Sequence, residues 1–178
     1  MDKCWKCRND MEIIRNEPYH YTECGLDNVY LFGIVQYRCL ECGEETVSIP
    51  SIKGLHLVIA RALICKEEML SGDEVKFLRK ELKLRSKDMA EALSMEPETY
   101  SRWENAKQKV SSNYDKELRL MYILNASEEN GRVLHRDIRA MLLVMAIRPL
   151  SEPKKIELSA ADWLVPMEPP IFGTELCK

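Results

Sequence analysis

Four cysteines, spaced as two Cys-x-x-Cys pairs, carry the first chemistry legible in this chain. Cys4-Trp5-Lys6-Cys7 and Cys39-Leu40-Glu41-Cys42 stand 31 residues apart. A CxxC turn aims two sulfurs at one point, and two such turns complete a tetrahedral four-thiolate shell. A shell closed by four protein ligands leaves no position for a catalytic water, so the site it implies is structural. Zn²⁺ is the expected occupant, because a borderline-soft d¹⁰ ion accepts tetrahedral thiolate without redox chemistry. Redox-active CxxC pairs and plain free thiols are the competing readings; a redox site needs one pair near a helix N-terminus, and two matched pairs favour metal. Cys24, Cys65 and Cys177 have no CxxC partner and read as small hydrophobes or spare thiols. His20 reads as a strand histidine, since four cysteines already suffice as ligands.

The totals bound what else the chain does. It has 178 residues, 26 basic against 29 acidic, a net charge of −3 and 46% hydrophobic residues. One to two domains fit that length. No global basic field advertises nucleic-acid binding, so any such contact must be local. No apolar run approaches the ~20 residues of a membrane span, and the opening MDKCWKC lacks a signal-peptide apolar region. A soluble, cytoplasmic protein without membrane contact is expected, and in that reducing setting seven cysteines do not make a disulfide framework. No nucleophile–base pair, phosphate loop or open metal site is visible, so an enzyme is not expected.

The elements that position the cysteines are short strands. Residues 11–15, 19–23, 29–38 and 46–49 are rich in β-branched and aromatic types. Pro50 ends the last, and residues 55–70 carry Leu55, Ile59, Ala62, Leu63 and Met69 near helical spacing, with Lys66-Glu67-Glu68 as the wet face. This reads as a connecting helix or semi-rigid linker, with His56 exposed or interfacial. Ser71-Gly72-Asp73-Glu74 fits a capping box, Ser71 as N-cap and Glu74 as its third-position partner. The helix it opens turns Val75, Leu78 and Leu82 inward and Lys76, Lys80 and Lys83 to water. Within residues 82–108, two short amphipathic runs flank Ser94-Met95-Glu96, the first marked by Met89, Ala90 and Leu93, the second by Tyr100 and Trp103. Pro97 suits a first helical position. Three helices that must bury one another in this way make a helix-turn-helix. A closing helix follows with Tyr114, Leu118, Met121 and Tyr122. A second stripe, Leu134, Ile138, Met141, Leu142 and Met145, reads as a dimer or partner surface. Pro153 begins a possible strand to Ser159, Trp163 is a candidate anchor, and residues 166–178 have the composition of a flexible tail.

The residues Cys4, Cys7, Cys39, Cys42-Gly43-Glu44, Leu78-Arg79, Met89-Ala90 and Tyr100-Ser101-Arg102-Trp103-Glu104-Asn105 together resemble the YgiT-type zinc finger antitoxins, the MqsA-like family. The resemblance covers about residues 1–125, and the order of the two modules is more specific than either alone. The helical part by itself resembles the larger family typified by phage repressors. The resemblance implies a DNA-binding autorepressor whose zinc domain holds a toxin. Repressors of this kind usually have glycine where Ser94 and Ala106 stand, so both positions imply a strained turn. Leu84-Arg85-Ser86 replaces the usual Leu-Ser-Gln, which moves the helix cap to Arg85 or Ser86.

The expected fold is therefore α+β and multidomain: a β-rich zinc-binding domain over 1–50, a connecting helix or linker over 51–71, an all-α phage-repressor-like helix-turn-helix domain over 72–125, and a C-terminal extension over 126–178. In such a domain the start of the second helix enters the major groove. Glu98, Thr99 and Arg102 would face base edges, Arg102 as a bidentate partner of guanine and Glu98 as acceptor from cytosine or partner of Arg102. Arg85, Ser86, Lys87, Asn105, Lys107 and Lys109 would flank the groove as phosphate contacts, which position rather than specify. Residues 72–112 hold 9 basic and 8 acidic side chains. Modest affinity per monomer follows, and with it a homodimer on a palindromic double-stranded operator. Beside this antitoxin reading stand a regulator with no toxin partner and a protein-interaction adaptor that binds no DNA.

Overall fold

The computed structural model of the chain describes residues 3–15, 17–129 and 155–164. Before residue 50 the alternating segments form five short strands: Met11–Ile14 (β1), Tyr19–His20 (β2), Val29–Phe32 (β3), Val35–Cys39 (β4) and Glu45–Ser48 (β5). The segment 29–38, read as one strand from its composition, is two. Gly33, at φ +73°, turns the chain between them, a conformation glycine adopts without steric cost. The turn sends the halves to different sheets. β4 lies between β1 and β5 in an antiparallel sheet, with Met11 opposite Cys39 and Tyr37 opposite Thr46. β3 lies between β2 and a late strand, Ile156–Ser159 (β6), which runs parallel to it with Leu31 opposite Leu158.

Local caps set several helix starts, and the first helix begins three residues before the expected Leu55. Ile52–Cys65 (α1) starts with the Gly54 N–H donating to Ser51 Oγ at 3.1 Å. Gly72–Glu81 (α2) opens with the capping box: the Glu74 N–H donates to Ser71 Oγ and the Ser71 N–H to the Glu74 carboxylate. Ser86–Ala92 (α3), Pro97–Glu104 (α4) and Ser112–Glu129 (α5) follow, and Pro97 occupies the first turn of α4. A short helix, Ala161–Leu164 (α6), closes the described chain and packs on α1.

One hydrophobic core joins nearly all of this. Leu26, Val29 and Leu31, Leu55, Ile59 and Leu63 of α1, Val75 and Leu78, Met89, Tyr100 and Trp103, and Leu118 and Ile123 all belong to it. Leu158 and Trp163 belong to the same core. It includes residues on both sides of 50 and 71, so α1 is part of the core and is no mere linker. The second cluster is small: Cys4, Met11 and Cys39, with Cys7 and Tyr37 against them. The chain is thus an α+β protein with a small β region followed by helices, and its cysteine end has almost no apolar core of its own.

Polar ties fix the connector between α1 and α2. The helix ends at Cys65, earlier than its apolar spacing predicts, and of Lys66-Glu67-Glu68, expected as a wet face, only Glu67 is exposed. Lys66 reaches the buried Glu74 carboxylate at 2.6 Å, and Glu68 is buried. The buried Arg119 guanidinium donates to the carbonyls of Ile64, Lys66 and Glu68. Asp115 pairs with Arg119 at 3.0 Å and accepts the Leu70 N–H at 2.7 Å. Satisfying that many buried polar groups at once makes the segment rigid, since each would cost about 1–3 kcal/mol unpaired. His56 is interfacial, with Nδ1 at 2.8 Å from Glu81 and Nε2 at 2.9 Å from the Tyr21 hydroxyl. It ties the residue after β2 to α1 and α2. Among the described residues no helix is long and apolar enough to cross a membrane. The 134–147 stripe and the 166–178 tail lie outside the described residues.

Candidate metal centre and candidate nucleic-acid interface

The two CxxC turns are copies of one local fold. In the first, the Arg8 N–H donates to the Cys4 carbonyl and the Cys4 N–H to the Asn9 carbonyl, both at 2.9 Å. In the second, the Gly43 N–H donates to the Cys39 carbonyl at 3.0 Å and the Cys39 N–H to the Glu44 carbonyl at 2.9 Å. Each turn requires a left-handed residue just after its second cysteine, Arg8 at φ +66° and Gly43 at φ +69°. Pairing of β1 with β4 sets Met11 opposite Cys39 and brings the two turns face to face.

All four sulfurs lie within 4.8 Å of one another, with Cys4 to Cys42 at 3.6 Å and Cys7 to Cys39 at 3.3 Å. A tetrahedron of sulfurs at a Zn–S length of about 2.3 Å has edges of about 3.8 Å, so the cluster has the right size. Its electrostatics also call for a cation. The Cys42 and Glu41 N–H groups point at Cys39 and hold its thiol down at about 7, with Cys42 the larger influence. The Cys7 N–H, then that of Lys6, lowers Cys4 in the same way. At Cys7 and Cys42 the N–H groups of Asn9 and Glu44 pull downward too, but burial and the neighbouring sulfurs outweigh them and both thiols are held up, Cys42 at about 12. Four thiolates cannot share this space unless a cation offsets them. The four cysteines are therefore arranged to hold a structural metal ion. Cys4 and Cys39 are buried, Cys7 is half-buried, and Cys42 is exposed. At the tips, Trp5 and Leu40 are 70% and 73% exposed.

The second candidate surface is α4. Tyr100 and Trp103 are buried, while Glu98 and Arg102 are exposed and Thr99 is half-buried. Four-residue spacing sets Glu98 and Arg102 on one outward face, where neither has a side-chain partner among the described residues. Lys87, Lys107 and Lys109 are exposed and equally free, and Ser86 is half-buried. Two of the expected phosphate contacts are already engaged. Arg85 holds Asp88 through two bonds of 2.8 Å, and the Asn105 amide donates to the Ser101 carbonyl at 2.7 Å. Arg85 is the residue at the α3 cap, its N–H donating to Asp88 at 3.2 Å.

What aims α4 lies behind it, and nothing in the residue spacing signals it. The Arg79 guanidinium, mostly buried, donates to Glu104 at 2.6 and 3.2 Å and to the Leu84 carbonyl at 2.7 Å. One side chain of α2 thus fixes both the end of α4 and the entry to α3. Opposite charges 25 residues apart carry no sign that they meet; only the resemblance singles out both. No protein-family model matches the chain, and no curated protein or solved structure is significantly similar to it.

Proposed function

We propose that the chain is a zinc-stabilised, sequence-specific DNA-binding repressor. In this reading α3, the turn at residues 93–96 and α4 form a helix-turn-helix of the phage-repressor kind, and α4 lies in the major groove. Arg102, Thr99 and Glu98 read base edges, and Lys87, Lys107 and Lys109 bear on phosphates. Arg85 and Asn105 join them by trading their internal partners, and Ser86 by its hydroxyl. The observation that carries the reading is the division of α4: its aromatic face is locked into the core, while a face with one arginine, one threonine and one carboxylate stands free. Such a surface on a unit of nearly balanced charge binds weakly alone, which favours a homodimer on a palindromic operator. Zinc fits Cys4, Cys7, Cys39 and Cys42 by donor type and size.

Following the resemblance to YgiT-type antitoxins, the repressor is the cytoplasmic antitoxin of a toxin–antitoxin pair and regulates its own operon. The toxin would seat on the cysteine end, where Trp5 and Leu40 are bare. Those same two side chains favour the adaptor reading if DNA binding is absent, and a regulator without a toxin would lack a small toxin frame beside its gene.

Selection of bound sequences from random DNA, followed by footprinting of two variants, tests the proposal. Arg102→Ala should lose about 1–3 kcal/mol of discrimination at one base pair. Lys107→Ala should weaken all sequences alike and reduce the salt slope by about one. Equal loss on specific and random DNA from Arg102→Ala would refute its base-reading role, and failure to select any sequence would leave the adaptor.

A further inference from the structure

The cysteine cluster has one open side. Cys4 and Cys39 are buried among the turns, yet Cys42 is exposed and its sulfur lies 3.6 Å from Cys4. We propose that the cluster is an oxidation site for peroxides, entered at Cys42, whose product is a disulfide between the two turns that expels the metal. The proposal rests on the reading of the cluster as a zinc centre.

The electrons balance with the peroxide as the named oxidant. In the metal-loaded cluster on which the proposal rests, Cys42 is held as a thiolate; it attacks one peroxide oxygen and breaks the O–O bond, giving a sulfenic acid at Cys42 and hydroxide that solvent protonates to water. The Cys4 thiolate then attacks the Cys42 sulfur and displaces the hydroxide, which leaves as a second water. Two thiolates have lost two electrons, and the peroxide has become two waters with two protons taken from solvent. With two of its four ligands tied into one bond, the zinc departs as a hydrated dication.

Geometry selects the pair. The closest sulfurs face each other across the turns, Cys4 with Cys42 and Cys7 with Cys39. Joining Cys4 to Cys42 closes about 1.5 Å to reach a disulfide length of about 2.05 Å. Joining Cys39 to Cys42 would break the turn in which both the Glu41 and Cys42 N–H groups point at the Cys39 sulfur. Cys24, by contrast, is buried, out of the oxidant's reach. The consequence is local, because the cluster of Cys4, Met11 and Cys39 stands apart from the main core. Oxidation would loosen the tips that carry Trp5 and Leu40 and leave α2–α5 packed.

The test uses the full chain, expressed with zinc and purified under reductant. Zinc content is measured, hydrogen peroxide is added, released zinc is followed with a chromogenic chelator, and disulfides are mapped by mass spectrometry of a non-reducing digest. The expected result is one zinc per chain before treatment and loss of that full equivalent in step with a Cys4–Cys42 linkage. Cys24 should remain alkylatable on denaturation, and dithiothreitol with added zinc should restore the centre. Zinc retained at peroxide levels that oxidise exposed methionines would overturn the proposal, as would linkages confined to Cys4–Cys7 or Cys39–Cys42. Absence of zinc from the untreated chain would instead overturn the metal reading, and the linkage map from the same sample would still decide the oxidation chemistry.

Discussion

Three successive helices end in the same way, each on a residue that bears a Cβ in left-handed backbone. Lys83, Ser94 and Ala106 have φ values of +58°, +51° and +53°. At each, the N–H of the next residue reaches back five positions: Leu84 to Arg79, Met95 to Ala90, Lys107 to Arg102. This is the Schellman arrangement, whose left-handed position is normally glycine. A residue with Cβ there carries about 1 kcal/mol of strain. Ser94→Gly and Ala106→Gly should therefore each stabilise the chain by up to about 1 kcal/mol, or about 2–4 °C in Tm for a domain of this size. Thermal melts of the two single variants check this; a fall in Tm would mean that glycine's extra freedom in the unfolded chain outweighs the relieved strain. The strain at Ser94 and Ala106 is legible only through the resemblance drawn from the sequence, which leads one to expect glycine at both. That at Lys83 and Arg8 is not, since nothing local distinguishes a lysine or arginine that ends a turn from one on a solvated face.

Packing between α2 and α4 decides how the exposed face of α4 is presented. Gly72 makes the approach possible: a Cβ there would come within 2.2 Å of the Trp103 carbonyl oxygen and 3.2 Å of the Ala106 nitrogen. Backbone cannot move aside as a flexible side chain can, so Gly72→Ala should cost about 1–3 kcal/mol by overpacking. Chemical denaturation at equilibrium measures it. A loss below about 0.5 kcal/mol would mean that the start of α2 can slide along α4 while the Arg79–Glu104 pair holds. Element types are well signalled in the chain, since Ser71, Pro97 and the β-branched and aromatic segments before residue 50 each have a local physical cause. Element partners are not. Gly72 reads as part of a cap, and its contact with Trp103 depends on a packing angle. Likewise Leu158 has the pattern of a strand residue, but nothing nearby names Leu31 as its neighbour.

At the scale of the molecule, the division into a large core and a small cysteine cluster predicts two stabilities. Among the described residues, Met11 and Tyr37 are the only apolar side chains beside the sulfurs in that cluster. So little buried surface cannot offset about 1–2 kcal/mol of backbone ordering per residue, and a metal ion held by the four sulfurs would supply the difference. Removing metal with a chelator should abolish hydrogen-exchange protection in residues 3–15 and 39–44. Protection in α1, α2, α4 and α5 should persist, because β5 is still anchored to the main core through Val47 and Ile49. Simultaneous loss of protection in the helices would mean that the two parts unfold as one.

The parallel pairing of β3 with β6 sets a timetable for synthesis. Val29 is opposite Ile156, 127 positions later. A ribosome adding about 5–20 residues per second needs on the order of ten seconds to supply the missing strand. During that interval α2–α5 can assemble from near neighbours, which is the fast kind of folding. β3, with its edge unpaired and Trp163 not yet available to cover α1, must wait. The nascent chain thus acquires its helices well before its second sheet is complete, and the waiting edge is the part most open to pairing with another copy of itself.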